Sequence, residues 1–359
     1  MVKCRLFAIG FKKILLLAQI NLKYIVKMRY NMYYKVLSNN FILLWAEEEL
    51  FLFKKKKIYC GIEIDGNILR FSHVKNRKSS FFLKNYQEVI LPQPYTKDSN
   101  IESVKSFSSL LEQQFGPFKN VDFVLGLHGT QIILKNLRLP MLPADEVPFV
   151  VKSEADRYLP IPPEEAYIDS CFLRDVSIGN DNFVDALLVA CPRRIVDSYI
   201  DSFNRAGLTL NKVDLSILAL ARSLGEQLIS GIQMVMKVFS EGVNILILDE
   251  GFPVYQRFIL IPYDNLIKND TASLELLVSE IERTINFYLS DKVNKEISKL
   301  SFVGRSESDK PLFNYIKEKI SVSFGEAKIV PNKFLKGNFD ESALSYSGIS
   351  VGLGMRNEE

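Results

Sequence analysis

Ile58-Tyr59-Cys60-Gly61-Ile62-Glu63-Ile64-Asp65-Gly66-Asn67-Ile68-Leu69-Arg70-Phe71-Ser72-His73-Val74 is the stretch that decides the fold. Two alternating runs, 58–64 and 68–74, flank Asp65-Gly66-Asn67, whose residues favour a tight turn, so the pair reads as a β-hairpin. A third strand-like run at 81–91 follows a polar turn. Ile101, Val104, Phe107, Leu111 and Phe115 then recur at helical spacing, predicting a helix over 101–115 that Gly116-Pro117 ends.

Working outward, the same order returns. Strands are expected at 234–239, 243–248 and 254–261, with turns at Glu241-Gly242 and Glu250-Gly251. A helix at 271–290 follows, carrying Leu274, Leu277, Val278, Ile281, Ile285, Tyr288 and Leu289 on one stripe. A βββα unit is therefore duplicated. Between the copies, strands at 121–127 and 131–139, a helix from an Asp145 cap to Tyr158, strands at 166–174 and 184–190, and a helix at 193–206 read as an inserted ββαββα module. A helix at 214–230 precedes the second copy. After it come strand 299–303, helix 309–320, strand 327–330 and a small-residue helix at 342–356. The expected class is α/β, a duplicated actin-like (ribonuclease H-like) two-lobed fold; that analogy carries no function by itself. The expected division is a leader over 1–57, a first lobe over 58–120 and 208–232, the insert over 121–207, and a second lobe over 233–356.

The net charge of +3 on 359 residues hides two unlike parts. Residues 1–57 hold twelve Lys/Arg, including the run Lys54-Lys55-Lys56-Lys57, against three acids; 58–359 hold 33 basic and 39 acidic residues, which is −6. The leader reads either as a basic amphipathic piece touching an anionic membrane surface, or as sequence upstream of a true start at Met28 or Met32. An acidic body with no basic–aromatic stripe argues against nucleic acid as partner. Four scattered cysteines and two histidines give no metal site, and none is expected. With so little His, general acid–base catalysis at neutral pH has few agents. His128, at a strand end, reads as surface structure.

Four stretches resemble the PilM family of type IV pilus assembly proteins, which are actin-like and close to the cell-division protein FtsA. Gly61-Ile62-Glu63-Ile64 is similar to the family's opening G-I-D-I. Leu137-Arg138-Leu139-Pro140, Pro143-Ala144-Asp145-Glu146 and Glu154-Ala155-Asp156-Arg157-Tyr158-Leu159-Pro160 resemble its L-x-L-P, P-x-D-E and E-A-x-x-Y-I-P run. Leu187-Leu188-Val189-Ala190, Val196 with Tyr199, Ala206-Gly207-Leu208 and Val213-Asp214 match its V-L-L-V-A, V-x-x-Y, A-G-L and V-D. Tyr346 to Leu353, with Arg356, resembles its terminal A-x-A-x-G-L-A-L-R. The likeness spans about 58–356. It implies a cytoplasmic protein, peripheral at the inner membrane, that binds the cytoplasmic tail of a PilN-like single-pass protein beside the inserted subdomain.

Proteins of this fold hold ATP phosphates on two Gly-rich hairpin turns, with a carboxylate at each for Mg²⁺ and water. Only 18 of 359 residues are Gly. Aligned from Gly61, Glu63 replaces the family's Asp, and Asp65, Gly66 and Asn67 occupy its phosphate turn. Counting back from Glu250-Gly251-Phe252-Pro253-Val254 places Lys237-Val238-Phe239 where D-I-G belongs. The adenosine-side turn is reduced to Val303-Gly304-Arg305-Ser306. The nucleotide cleft, marked by Glu63, Asp65, Gly66, Asn67, Lys237 and Gly304, therefore reads as degenerate. No catalytic residue and no cofactor is expected, and the reading is a non-catalytic scaffold, a pseudo-ATPase. The alternatives are an actin-like ATPase holding Mg-ATP and a GspL-like secretion component. Lys237 and Arg305 are expected as solvated charges on turns, or else as a new phosphate grip. Arg138, Pro140, Glu154, Tyr158, Leu159 and Pro160 are the expected partner-binding set. Glu154 falls on its helix's apolar face, as an anchor for the partner or in a bridge to Arg138 or Arg157; Tyr158-Leu159-Pro160 is groove wall or rigid connector.

Overall fold

The computed structural model describes residues 58–77, 80–118, 121–290, 292, 294–327, 329, 335–336 and 346–356. The expectations for 1–57 lie outside the described residues. Strands β1 (Ile58–Asp65), β2 (Ile68–Arg77) and β3 (Ser80–Ile90) form the meander expected from the opening stretch. Gly66 has φ +60°, the left-handed value that a two-residue turn requires, and the turn pairs Asp65 with Ile68 and Glu63 with Arg70. A two-residue hairpin, β4 (Thr96–Lys97) and β5 (Asn100–Ile101), leads to α1 (Val104–Phe115). Ser103 caps α1 by accepting the Ser106 amide, so the helix starts three residues later than periodicity suggests.

β6 (Asp122–Leu127) pairs in parallel with β1, and β10 (Leu210–Leu215) in parallel with β6. The first sheet therefore runs β10-β6-β1-β2-β3, with β16 (Leu335–Lys336) added beyond β3. The second lobe repeats it. β11 (Ile232–Val238), β12 (Gly242–Asp249) and β13 (Phe252–Leu260) form the meander. β14 (Ile297–Val303) and β15 (Phe324–Glu326) extend it in parallel, giving β13-β12-β11-β14-β15. Apart from β16, the two orders are the same strand for strand.

Between β6 and β10 the chain makes β7 (Ile133–Pro140), α2 (Val147–Ser153), β8 (Ala166–Ile178), β9 (Asp181–Pro192) and α3 (Arg193–Arg205). Only β7, β9 and β8 form the separate three-stranded sheet. This corrects the ββαββα module at 121–207. β6 is a central strand of the first lobe, α3 packs on α1, and the insert is βαββ. The unbroken apolar run of β6 is what a parallel strand covered on both faces looks like, and periodicity alone does not separate it from an edge strand. α2 is also shorter than expected. It ends at Ser153, a 3₁₀ turn over Ala155–Arg157 replaces its last turn, and the Ncap is Glu146, not Asp145.

Helix α4 (Ser216–Leu224) follows β10; α5 (Tyr263–Ile267) and α6 (Thr271–Leu289) follow β13; α7 (Lys310–Lys319) follows β14; and α8 (Gly348–Gly354) closes the described chain. The strand expected at 327–330 lies earlier, at β15. α8 packs on β1, β2, β6 and α4, and its glycines permit it: a Cβ on Gly352 would strike the Ala219 carbonyl. One core joins the first-lobe residues Ile62, Leu125, Leu218 and Ile349 to Val235, Leu246 and Leu248 of the second sheet. The lobes are therefore bonded through apolar packing as well as through the cleft.

Candidate functional site

Three turns meet in the cleft: Asp65-Gly66-Asn67 between β1 and β2, Phe239-Ser240-Glu241 between β11 and β12, and Gly304-Arg305-Ser306 after β14. The first two touch. A Cβ on Gly66 would come within 2.9 Å of Ser240 Cβ, and the Ser240 amide donates to Asp65 Oδ1 at 2.6 Å. Arg305 Nε donates to Asp65 Oδ2 at 2.7 Å, and its Nη2 to the Asp65 carbonyl at 3.1 Å. Arg70 donates from Nη2 to the Arg305 carbonyl (2.8 Å) and from Nε to Glu88 (2.6 Å), while its Nη1 lies 3.5 Å from Glu63. Lys237 Nζ donates to the Gly304 carbonyl at 2.7 Å. Asp309 closes the third turn by accepting the Arg305 and Ser306 amides and the Tyr263 hydroxyl.

These groups are inside the protein. Glu63, Asp65, Arg70 and Lys237 are all at 0% exposure and Arg305 at 7%. The solvated reading of Lys237 and Arg305 is therefore wrong: packing between two sheets buries both, and each is spent on the chain's own oxygens. His128 is also corrected. It is buried, with its ring stacked on Phe239 at 3.8 Å between centroids. Burial tends to raise Asp65, but Arg305, His128, Lys237 and the Ser240 amide outweigh it and hold the carboxyl at about 2. Burial raises Glu63, with Arg70 and Lys237 only partly offsetting it, and both Glu63 oxygens lack a hydrogen bond. Burial likewise lowers Lys237 to about 8 and His128 to about 4.

A bound nucleotide needs free backbone N–H groups for phosphate and carboxylates turned to a metal. Here the Ser240 amide is already satisfied by Asp65, a lysine stands at one carboxylate position, and Glu63 faces Arg70. Beside Gly304, the pocket lined by Phe302, Asp309, Phe313, Glu326 and Tyr346 holds roughly 40 Å³. That is room for two or three waters, against about 300–1,000 Å³ for ordinary small-molecule sites. The Ser240 amide and the Arg305 guanidinium are thus spent on Asp65, and the Lys237 ammonium on the Gly304 carbonyl. Of the expected cleft residues, the structure brings Glu63, Asp65, Gly66, Lys237 and Gly304 together. Asn67 instead supports the sheet, its carbonyl accepting the Leu91 amide.

Arg70 escaped the sequence reading. Its signal was available: the two-residue turn sets it directly opposite Glu63, a charged pair in a hairpin that must be buried. A second cluster was visible only as isolated motif letters. Asp214, fully buried, accepts from Arg222 at 2.9 Å and lies 3.1 Å from Arg356, while Arg222 also donates to the Gly352 carbonyl. It fastens α8 to β10 and α4.

The expected partner set divides. Arg138 pairs with Asp185 on the sheet face away from α2, where Arg174 also joins Asp185 to Asp249 of the second lobe. Glu154 pairs with Arg157 at 3.3 Å and accepts the Tyr158 hydroxyl at 3.2 Å, so its bridge runs to Arg157 and not to Arg138. Tyr158 and Leu159 pack partly buried against the α2 core, and the Tyr158 carbonyl accepts from Lys135. Pro140 and Pro160 are exposed.

Two sheets of identical order, meeting across a cleft of hairpin turns with a subdomain inserted in the first, define an actin-like protein. The sequence model of the family described as type IV pilus assembly protein PilM matches residues 61–259, and the chain belongs to that family. Among solved structures, a PilM–PilN type IV pilus biogenesis complex matches with TM-score 0.72 at 16% identity, covering 84% of this chain and 99% of that one. At that identity the match speaks for the fold. The ethanolamine utilization protein EutJ of Carboxydothermus hydrogenoformans (TM-score 0.47, 8% identity, 84% and 91% covered) lies much further off. So does MreB 5 of Spiroplasma citri bound to AMPPNP (0.46, 8%, 83% and 95%). Among the described residues, no helix is long and apolar enough to cross a membrane.

Proposed function

We propose that this chain is a non-catalytic platform of a type IV pilus assembly machine. It would work at the cytoplasmic face of the inner membrane by holding the cytoplasmic tail of a PilN-like single-pass protein. Family membership supports the pilus assignment, and the solved complex of a PilM with PilN supports the kind of partner. The observation that carries the non-catalytic part is the Asp65 carboxylate, which takes the Ser240 amide and the Arg305 guanidinium that a phosphate would need. An extended tail would bind through backbone contacts and small apolar pockets beside the insert, where Arg138, Pro140, Glu154, Tyr158, Leu159 and Pro160 are the candidate contacts.

The test has two arms. A labelled peptide of the partner's tail is titrated into the full chain, and saturable binding that millimolar Mg-ATP leaves unchanged is expected. Thermal unfolding is then followed with and without millimolar Mg-ATP. A ligand at 100 times its Kd would add about 2.7 kcal/mol, so a ligand-dependent rise of several degrees, with phosphate release, refutes the non-catalytic reading.

A further inference from the structure

We propose that the Asp65–Arg305–Arg70–Glu63 network, with Lys237, is a permanent clamp. It fixes the closure of the two lobes with side chains, where related folds close around a ligand. Domain closure over a cleft normally waits for a ligand that contacts both sides. Here the contacts are already made, and four of them cross the cleft: the Ser240 amide and Arg305 Nε to the Asp65 carboxylate, Arg305 Nη2 to the Asp65 carbonyl, and Arg70 Nη2 to the Arg305 carbonyl. Asp65 belongs to the first lobe, while Ser240 and Arg305 belong to the second. Arg70, on β2, reaches the Arg305 carbonyl from the first lobe, and its other contacts, Glu63 and Glu88, brace it there. Lys237 ties the third turn to β11 through the Gly304 carbonyl, so the two second-lobe turns move as one.

The β11–β12 turn is gripped from a second direction. The Asp98 amide donates to Glu241 Oε2 at 2.5 Å, and His128 stacks on Phe239. Asp98 is itself fixed by the Thr130 amide and hydroxyl and by Gln131. One second-lobe turn is thus bonded to the β1–β2 turn on one side and to the β4–β5 and β6–β7 connections on the other. Opening the cleft would part the buried Asp65 carboxylate from Arg305 and the Ser240 amide, and Arg70 from the Arg305 carbonyl. That is the costly state for buried charge, since removing one member of a buried pair strands the other. Closure is therefore a property of the folded chain and does not depend on nucleotide supply.

This inference rests on the cleft and not on the identity of the partner. It is tested by amide hydrogen exchange on the full chain, resolved at Ser240 and Arg305, with Leu125 and Leu246 as lobe-core references. In the wild type, Ser240 and Arg305 are expected to exchange as slowly as the references, and millimolar Mg-ATP is expected to change neither. Arg305→Gln is expected to speed exchange at Ser240 roughly tenfold or more, with the reference amides within about twofold. Asp65→Asn serves as the second variant. Rapid exchange at Ser240 in the wild type, or no change there in a variant whose references stay protected, overturns the clamp. So does slowing by Mg-ATP. Failure of the tail peptide to bind would leave the clamp standing, and Mg-ATP binding with phosphate release beside an unchanged Ser240 would sink only the non-catalytic reading.

Discussion

Asp214→Asn removes one charge from the best-buried ion cluster outside the cleft. Asp214 and Arg222 side chains are 0% and 2% exposed and Arg356 is 7% exposed, so water cannot replace what is lost. Asparagine keeps the acceptor for the Leu215 amide, at 2.8 Å in the native protein, because Oδ1 survives. It loses both charge-assisted contacts, each worth about 1.5–3 kcal/mol, and it leaves two guanidinium groups facing each other. Breaking a buried pair from one side costs about 3–5 kcal/mol, and that is the expected loss. For a chain of this size it corresponds to a fall in Tm of roughly 4–7 °C. Urea unfolding followed by circular dichroism measures it, with an unchanged m-value showing that the native state kept its compactness. Arg356→Ala should cost less, about 2 kcal/mol, because Arg222 still neutralises the carboxylate. A double-mutant cycle should return coupling of at least about 1 kcal/mol. An Asp214→Asn cost below about 1 kcal/mol, or additive single mutants, would refute the claim that this cluster holds α8 in place.

The β1–α8 contact gives a steric prediction: Gly61→Ala drives a Cβ into the Ser350 carbonyl and within 2.7 Å of the Gly354 amide and Leu353 Cβ, so a loss of about 3 kcal/mol or more is expected in urea melts. His128, held at about 4 against an ordinary 6.5, is neutral when folded, so its contribution is complete above pH 6.5 and declines as pH falls towards 4. The whole interval is worth roughly 3 kcal/mol, and His128→Phe should flatten that part of the stability–pH curve. Asp65, depressed to about 2 from 3.8, stabilises above pH 4 and loses about 2 kcal/mol between pH 4 and 2. The raised Glu63 has the opposite sign, its contribution becoming unfavourable as pH rises above 4.5, so Glu63→Gln should steepen the net acid loss. Restoring a carboxylate with Lys237→Asp should destabilise the cleft, since a third acid would join Glu63 and Asp65 while a buried cation is removed; a variant as stable as the wild type would contradict the clamp.

Much of the architecture was legible because repeated local patterns report it. The turn signal at Asp65-Gly66-Asn67 marks the hairpin that the structure forms, with β1 running one residue further than the alternation suggests, so that Asp65 stands opposite Ile68. The α6 stripe reads correctly because Leu274, Leu277, Ile281 and Tyr288 are buried in one core with Met234, Ile245 and Ile259 of the second sheet. What failed was allocation. β6 has the same local look in either sheet, and only its parallel pairing with β1, across some sixty intervening residues, assigns it to the first lobe. α2 was overextended because its apolar spacing continues past Ser153, where the chain tightens into a 3₁₀ turn before the prolines.

The cleft divides in the same way. The resemblance to the family's motifs implied that glycines and a metal-side carboxylate are replaced, by Asp65, Lys237 and Phe239. The sequence could not determine what those replacements do instead. Lysine and arginine are ordinarily solvated, and the apolar run around Lys237 marks a covered strand without naming the oxygen that the lysine meets. Burial depends on two sheets closing over the site, and the partner oxygens come from positions up to 240 residues away. Local chemistry thus named the charged groups, and tertiary packing turned them inward, because a charge buried between lobes is tolerable only where the opposite lobe supplies its partner.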